Sequence, residues 1–229
     1  MCAIAGHIDL GPLALSIFGK RYENMKPAKL FPMFLKLTVR PCLVVGAGNI
    51  AESKIASLLE ADARVRIVAP EATEQVRSWA QSKKIEWHQR RFQPSDLDGM
   101  FLVVAATSSR EVHEQIFKEA ATRGVLCNIV DVPELCDFHY PAIVQRGALQ
   151  IAISTAGQSP ALAQRLRKEL EEQFGPEYEE WLEHLGSARE KLFSETVNPE
   201  ERKRMLHEQA SKEALDAFRR NRAGTRGST

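Results

Sequence analysis

The sequence has no long hydrophobic run and no excess of charge of either sign. Its 229 residues include 31 Lys and Arg and 30 Asp and Glu, a formal net charge of +1. This balance gives no sign of the basic surface with which proteins bind nucleic acid or anionic membranes. No run approaches the roughly 18 apolar residues that a membrane-spanning helix requires. We therefore expect a soluble globular protein with neither nucleic acid nor a membrane as a partner.

Cysteine is also scarce, with only four residues: Cys2, Cys42, Cys127 and Cys136. They show no CxxC spacing, and Cys42 and Cys127 lie in apolar runs, where a free thiol behaves as a small hydrophobic side chain. This usage favours a reduced, cytoplasmic protein. Cys136, Asp137 and His139 are potential metal ligands, but their spacing matches no strong metal site, so we predict no metal.

Short β-branched runs alternate with helical stretches from residue 41 to residue 131. Strands are predicted at 41–46, 64–69, 85–89, 100–106 and 125–130, and helices at 49–60, 72–82 and 109–123. Such alternation is typical of a parallel sheet with helices on both faces. The sequence therefore predicts an α/β fold with a Rossmann-type parallel sheet.

The pattern changes after Asp131, where two prolines and little periodicity indicate a domain boundary. One strand is predicted at 149–154 and one helix at 161–174, followed by helix-forming residues with a break at Asn198-Pro199. We expect the following organisation: a disordered leader at 1–28, a Rossmann domain at 29–140, a small α+β dimerisation domain at 141–175, a helical C-terminal region at 176–222 and a disordered tail at 223–229.

The predicted strand at 149–154 and helix at 161–174 are too small to enclose a core of their own. We therefore expect them to pair with a second copy of the chain across a two-fold axis, which predicts a homodimer.

A glycine motif, Gly46-x-Gly48-x-x-Ala51, follows the first predicted strand and opens the first helix. Gly46 permits a tight turn, Gly48 lets the backbone approach a pyrophosphate, and Ala51 allows close helix–strand packing. The helix N-terminus offers unpaired N–H groups and a positive dipole. The motif predicts a dinucleotide site; the alternative is a tight turn that binds no ligand.

The second predicted strand lacks the terminal acid that usually binds the ribose of the dinucleotide. It ends at Val68-Ala69-Pro70, and the first acid is Glu71. Glu71 either holds the adenosine ribose or lies in the first turn of the next helix, where the helix dipole favours it. No Lys or Arg directly follows the strand to pair with a 2′-phosphate, which favours NAD over NADP.

Asp131 follows the fifth predicted strand, at the sheet edge where ligands bind in open α/β folds. A carboxylate there can accept a proton while a hydride leaves the substrate. The alternative is a turn residue before Pro133. Thr107 and Ser108 end the fourth strand, where small residues suit either close approach to a cofactor or the N-cap of a helix.

Residues 154–160, Ser-Thr-Ala-Gly-Gln-Ser-Pro, lead into the predicted helix of the second domain. Ser159 has the character of an N-cap, with Pro160 at the first helical position. Two interpretations are open. The turn either caps the helix or presents free N–H groups to carboxylates of a substrate.

Three blocks together resemble the precorrin-2 dehydrogenase family, which includes the N-terminal part of siroheme synthases. The first is LFPMFL at 30–35 with PCLVVGAGNIAESKIASLLEADARVRIVAPE at 41–71, the second is VVAATSS at 103–109, and the third begins CNIVDVPELCDFHYPAI at 127 and runs to 171. The resemblance covers about residues 29–190, and the ordered combination is more specific than the glycine motif alone.

The resemblance implies a homodimer that uses NAD to oxidise precorrin-2 to sirohydrochlorin, on the way to siroheme or cobalamin. Some family members also insert Fe²⁺ into sirohydrochlorin, so a bifunctional dehydrogenase–ferrochelatase is an alternative. A non-catalytic NAD-sensing module is a third possibility of another class, and it would have no need of Asp131.

Motif matching puts Asp131 in the place of the family's catalytic aspartate. The residues expected to bind NAD are Gly46, Gly48, Asn49, Ile50, Pro70, Glu71 and Thr107. Because the tetrapyrrole substrate carries many carboxylates, its site should supply cations and N–H donors. We expect this role of Thr155, Ser159 and Arg146. Arg165, Arg167 and Lys168 are further candidates, unless they form i,i+4 pairs on a solvated helix face.

Overall fold

The computed structural model describes residues 29–195 and 198–226, and the side chains of all of these except 223–226. The leader predicted at 1–28 lies outside the described residues, as does the end of the predicted tail, 227–229. The chain forms two compact units, one ending at Tyr140 and the other beginning at Pro141.

The first unit is a Rossmann-like α/β domain, as the alternating pattern predicts. Its elements are β1 (Pro41–Val45), α1 (Asn49–Glu60), β2 (Arg64–Val68), α2 (Glu74–Gln81), β3 (Glu86–His88), β4 (Leu102–Ala105), α3 (Arg110–Arg123) and β5 (Leu126–Ile129). The five strands form one sheet in the order β3-β2-β1-β4-β5. All four strand pairings are parallel, so every strand ends at the same edge.

Two hydrophobic layers hold the sheet between its helices. Successive residues of a strand point to opposite faces, so Val44 packs on one side with Ile55 of α1, and Leu43 on the other side with Ile116 of α3. Because β1 lies at the centre of the sheet, Cys42–Val45 is buried on both faces. This explains why the strands of this unit appear in the sequence as continuous apolar runs.

The second unit contains a hairpin and four helices. They are β6 (Ala142–Arg146), β7 (Leu149–Ile153), α4 (Pro160–Gln173), α5 (Glu177–Ser194), α6 (Pro199–Gln209) and α7 (Lys212–Arg226). β6 was not predicted from the sequence; it pairs antiparallel with β7. Only Val144 of β6 is fully buried, and the apolar run of the strand is short, Ala142 to Val144. Gly147, with a φ of 54°, allows the tight turn between the strands.

The C-terminal helices belong to the same compact unit as the hairpin, although the sequence suggested a separate helical region. Trp181 of α5 packs against Phe218 of α7 with ring centroids 5.2 Å apart, and Arg219 forms an ion pair of 2.5 Å with Glu177. The last helix runs to Arg226, beyond the expected start of disorder at residue 223.

Within residues 29–195 and 198–226, no helix is both long and apolar enough to span a membrane.

Candidate functional site

The turn after β1 requires glycine at position 46. Gly46 has a φ of 108°, which side chains of L-residues rarely permit, and an added Cβ would lie 2.3 Å from the carbonyl oxygen of Ala106. The turn therefore passes directly over the end of β4. Ala106 is held there by its N–H, which donates to the oxygen of Val45 at 2.8 Å. The tight turn predicted for Gly46 is confirmed.

Gly48 occupies a different environment, because it faces open space. It is the N-cap of α1 with extended backbone angles, and an added Cβ would meet no atom within 4 Å. Glycine has no side chain to cap the first N–H groups of the helix, so these donors stay available to a ligand. Asn49 and Ile50 follow and are exposed, Ile50 by 54%. Open space before uncapped donors fits the pyrophosphate of a dinucleotide.

The loop after β2 places Pro70 and Glu71 on the surface. The next helix begins only at Glu74, with Thr73 as its N-cap. Glu71 therefore lies outside the first helical turn, which rules out the alternative that the helix dipole accounts for it. Because β1 and β2 are parallel, this loop leaves the sheet at the same edge as the glycine turn.

Thr73 and Glu52 connect this loop to the glycine turn. The N–H of Thr73 donates to the oxygen of Ala47 at 3.0 Å, and its hydroxyl donates to Glu52 Oε2 at 2.6 Å. Thr73 also caps α2 by accepting from the N–H of Val76. This pair was not predicted from the sequence. The available signals were a cap residue before α2 and an acid in the first turn of α1.

Thr107 lies beside the glycine turn at the end of β4. An added Cβ on Gly46 would come within 3.5 Å of the Thr107 nitrogen. The carbonyl of Thr107 accepts a hydrogen bond of 2.7 Å from His113 Nε2. The N-cap of α3 is Ser109, which accepts from the N–H of Val112 at 3.4 Å. Capping therefore explains Ser109 and not Thr107 or Ser108.

Asp131 is exposed and adopts a φ of 62° just beyond β5. Aspartate tolerates this left-handed conformation better than most residues, so the turn itself favours aspartate or asparagine. A turn-forming aspartate commonly hydrogen-bonds nearby backbone. Among the described residues, the Asp131 carboxylate has no hydrogen bond or ion pair. The fold therefore leaves this carboxylate available for chemistry at the sheet edge.

The segment after Asp131 folds back along β5 and fixes the loop. The N–H of Asp137 donates to the oxygen of Cys127 at 2.7 Å, and Asp137 Oδ2 accepts from the Cys127 N–H at 2.9 Å. The buried Asn128 donates its amide to the oxygen of Phe138 at 2.8 Å. Asn128, to which the sequence gave no role, thus holds the loop that carries Asp131. Asp137 is likewise committed to the backbone of β5.

Lys54 was not predicted, yet it lies in the neighbourhood of Asp131. Its Nζ lies 3.8 Å from the ring centroid of Tyr140. Partial burial lowers the pKa of Lys54, while the negative charge of Asp131 raises it. No sequence pattern connects α1 with the irregular segment that ends at Tyr140, so only the fold reveals this group.

In the second unit, Thr155 and Ser159 hydrogen-bond within their own turn. Ser159 caps α4 by accepting from the N–H of Leu162 at 3.2 Å, and Thr155 Oγ1 accepts from the Ser159 N–H at 3.2 Å. The N–H of Ala156 donates to Ser154 Oγ. Capping therefore describes this turn, and several of its N–H groups are already used.

Arg146 is also engaged by its own unit. Its guanidinium donates to the carbonyl oxygens of Phe174 at 2.8 Å, Gln145 at 2.9 Å and Glu171 at 3.0 Å. These bonds secure the end of α4 and use three of five N–H donors. Arg165 and Arg167 form i,i+4 ion pairs, as the alternative for them predicted. Arg146 thus lies by the end of α4, whereas Thr155 and Ser159 lie before its start.

Known proteins are similar to parts of both units. Residues 33–142 match a family described as putative NAD(P)-binding, and residues 146–173 match the central domain of sirohaem biosynthesis proteins. Siroheme synthase of Photorhabdus laumondii is 43% identical over 140 residues, 61% of this chain and 30% of that protein. Siroheme synthase 1 of Aeromonas hydrophila is 44% identical over 140 residues, which again are 61% of this chain and 30% of that protein. The chain thus spans about a third of these relatives.

A solved structure titled SirC, precorrin-2 dehydrogenase, matches with a TM-score of 0.70 and 25% identity. The match covers 80% of this chain and 90% of that one. The sequence relatives and this structure agree with the resemblance carried by the three blocks of sequence. In this chain a region similar to putative NAD(P)-binding proteins is thus followed by a region similar to the central domain of sirohaem biosynthesis proteins.

Proposed function

We propose that this chain is an NAD-dependent dehydrogenase that oxidises precorrin-2 to sirohydrochlorin. The observation that carries this proposal is the match to SirC, precorrin-2 dehydrogenase, over 80% of this chain and 90% of that one. The free carboxylate of Asp131, at the same sheet edge as the glycine turn, gives the proposal a chemical basis.

The glycine turn and the loop after β2 would hold the dinucleotide. The uncapped N–H groups after Gly48 suit the pyrophosphate, and Asn49, Ile50 and Thr107 border the same edge. Pro70 and Glu71 are exposed and next to the turn through Thr73, which suits the adenosine ribose. The absence of a cation directly after β2 favours NAD over NADP. Bound NAD supplies the hydride acceptor.

Asp131 would remove the proton. Oxidation of precorrin-2 releases a hydride from a ring carbon and a proton from elsewhere on the macrocycle, and only the hydride goes to the nicotinamide. The Asp131 carboxylate is exposed and has no hydrogen bond or ion pair among the described residues, so it can accept that proton. Asn128 and Asp137 hold its loop in place.

Contacts of the substrate in the second unit remain predictions for Thr155, Ser159 and Arg146. Carboxylates of the tetrapyrrole would meet the backbone at the N-terminus of α4, where the helix dipole favours anions, while the Ser159 hydroxyl stays with the N-cap. Arg146 has two N–H donors beyond those that it gives to carbonyls.

A homodimer in the cytoplasm is part of the same proposal. Within the described residues, β6 and β7 pair only with each other, and an isolated two-stranded hairpin is marginally stable. Ile143 and Phe193 remain 41% and 53% exposed in the second unit. A second copy would cover such surface, and sedimentation at micromolar concentration measures the assembly. A monomer there would contradict this part of the proposal.

The test of the main proposal is formation of NADH from NAD and precorrin-2 under anaerobic conditions, followed by absorbance. Sirohydrochlorin should appear in equal amount. A chain that binds NAD but produces neither compound would be the non-catalytic alternative. Addition of Fe²⁺ to the accumulated sirohydrochlorin then shows whether the chain also has the ferrochelatase activity.

A further inference from the structure

Lys54 has a partly buried ammonium group that lies near Asp131, at the edge of the sheet. Its Nζ lies 3.8 Å from the centroid of the Tyr140 ring. Among the described residues, Lys54 has no ion pair or hydrogen bond. The N–H donors of this ammonium are therefore not used by the fold.

The helix that carries Lys54 gives it no acidic neighbour. The residues three and four positions away are Ile50, Ala51, Ser57 and Leu58, so no i,i+4 ion pair can form. Other cations of the chain differ in this respect, since many of them pair with an acid one helical turn away. Lys54 thus has no acidic partner on its own helix, and the negative charge that acts on it is that of Asp131.

Tyr140 supports this cation but does not neutralise it. Part of the Tyr140 residue is accessible, and burial around its phenol raises the pKa of Tyr140 to about 12. The phenol therefore stays neutral near neutral pH. A cation over an aromatic ring gains roughly 0.5–2 kcal/mol, and the ring leaves the positive charge in place. A partly desolvated positive charge attracts an anion more strongly than a fully hydrated one.

We propose that Lys54 binds a carboxylate of the tetrapyrrole substrate beside Asp131. This inference rests on the proposed function and adds a substrate-binding residue to the first unit. The macrocycle carries acidic side chains around its rim, and one held by Lys54 would fix the ring carbons relative to the base. Lys54 then contributes to substrate affinity, and Asp131 accepts the proton.

The experiment compares Lys54→Met and Lys54→Arg with wild type. Methionine removes the charge and keeps an unbranched stem, so KM for precorrin-2 should rise about 10- to 100-fold, the range for one hydrogen bond to a charged group. Turnover at saturating substrate and affinity for NAD should stay within about threefold. Arginine should recover most of the affinity. Lys118→Met on the exposed surface of α3 is the matched control and should change neither constant.

Binding of sirohydrochlorin, measured by fluorescence titration, provides a readout that requires no turnover. The Lys54→Met protein should bind it at least tenfold more weakly than wild type and the Lys118→Met control. Equal affinity of Lys54→Met and wild type would overturn the proposal. The proposal would also be overturned if Lys54→Met lowered turnover and shifted its pH profile while KM stayed unchanged. Lys54 would then act on the protonation of Asp131 and not on substrate affinity. If wild type binds sirohydrochlorin but forms no NADH, the proposed function fails, while this comparison still decides the role of Lys54.

Discussion

The two units each contain a helix N-terminus preceded by a glycine-containing turn, but the turns are built differently. At the start of α1, Gly48 provides no side chain, and open space lies in front of the first N–H groups. At the start of α4, the Ser159 hydroxyl accepts from Leu162, and Thr155 accepts from Ser159. The first turn leaves donors for a ligand, whereas the second uses them to hold its own conformation. Helix N-termini of similar sequence character therefore need not serve the same purpose.

The largest expected effect concerns Asp131, whose carboxylate lies at the same edge of the sheet as the glycine turn before α1. Asp131→Asn removes the charge but tolerates the left-handed backbone, so the fold should be unchanged. Turnover of precorrin-2 should fall by about 10²–10⁴-fold, as for a lost general base, while NAD affinity stays unchanged. Single-turnover kinetics and NAD titration measure the two properties.

Asp131→Ala should give the same loss of turnover, with an added cost in stability from its backbone conformation. Asp98→Asn, an exposed acid at the opposite end of the sheet, is the control and should keep full activity. Wild-type turnover in Asp131→Asn would show that the aspartate is only a turn residue. If Asp131→Asn also loses any ferrochelatase activity of the wild type, one carboxylate serves both proton removals.

The next effect separates the two glycines of the first turn. Gly48→Val should fold normally, because the backbone at this position is extended and an added Cβ meets no atom. The side chain would fill the space before the N–H groups, so NAD affinity should fall by at least about tenfold, equivalent to 1.4 kcal/mol. Calorimetry with NAD and thermal unfolding should show lost binding without lost stability. Undiminished affinity would remove the basis for this cofactor site.

Gly46→Ala should have the opposite profile and serves as the contrast. Its Cβ would collide with the oxygen of Ala106, and its φ of 108° disfavours any side chain. The conformational strain alone is on the order of 1–3 kcal/mol, so the free energy of unfolding should fall by at least about that amount. Chemical denaturation measures it. A Gly46→Ala protein as stable as wild type would contradict the close approach of β1 and β4.

The first unit was predictable from sequence because its strands are buried on both faces and appear as apolar runs, such as Cys42–Val45. β6 was missed because Val144 is its only fully buried residue. The position of Glu71 could not be decided because the start of α2 depends on contacts of Thr73 with Ala47 and Glu52, distant in sequence.

The surroundings of Asp131 also depend on contacts between residues that are distant in sequence. Asp131 was predictable as a candidate because it directly follows an apolar strand. Its neighbour Lys54 was not, since it meets Tyr140 through a segment without periodicity that folds back along β5. Sequence patterns report local periodicity, and this part of the site is assembled from residues far apart in the chain.

The smallest effect tests the second turn. Ser159→Ala removes the hydroxyl that accepts from the Leu162 N–H, and loss of an N-cap costs about 1 kcal/mol of stability. Because the serine hydroxyl serves the helix, KM for precorrin-2 should change by less than about twofold. Ser159→Asp, which keeps a capping oxygen, should restore most of the stability. Denaturation curves and steady-state kinetics on the three proteins separate the two roles.

An increase in KM of tenfold or more in Ser159→Ala, with unchanged stability, would show that the Ser159 hydroxyl contacts the substrate. The second turn would then resemble the first, and the contrast between the two helix N-termini would be lost.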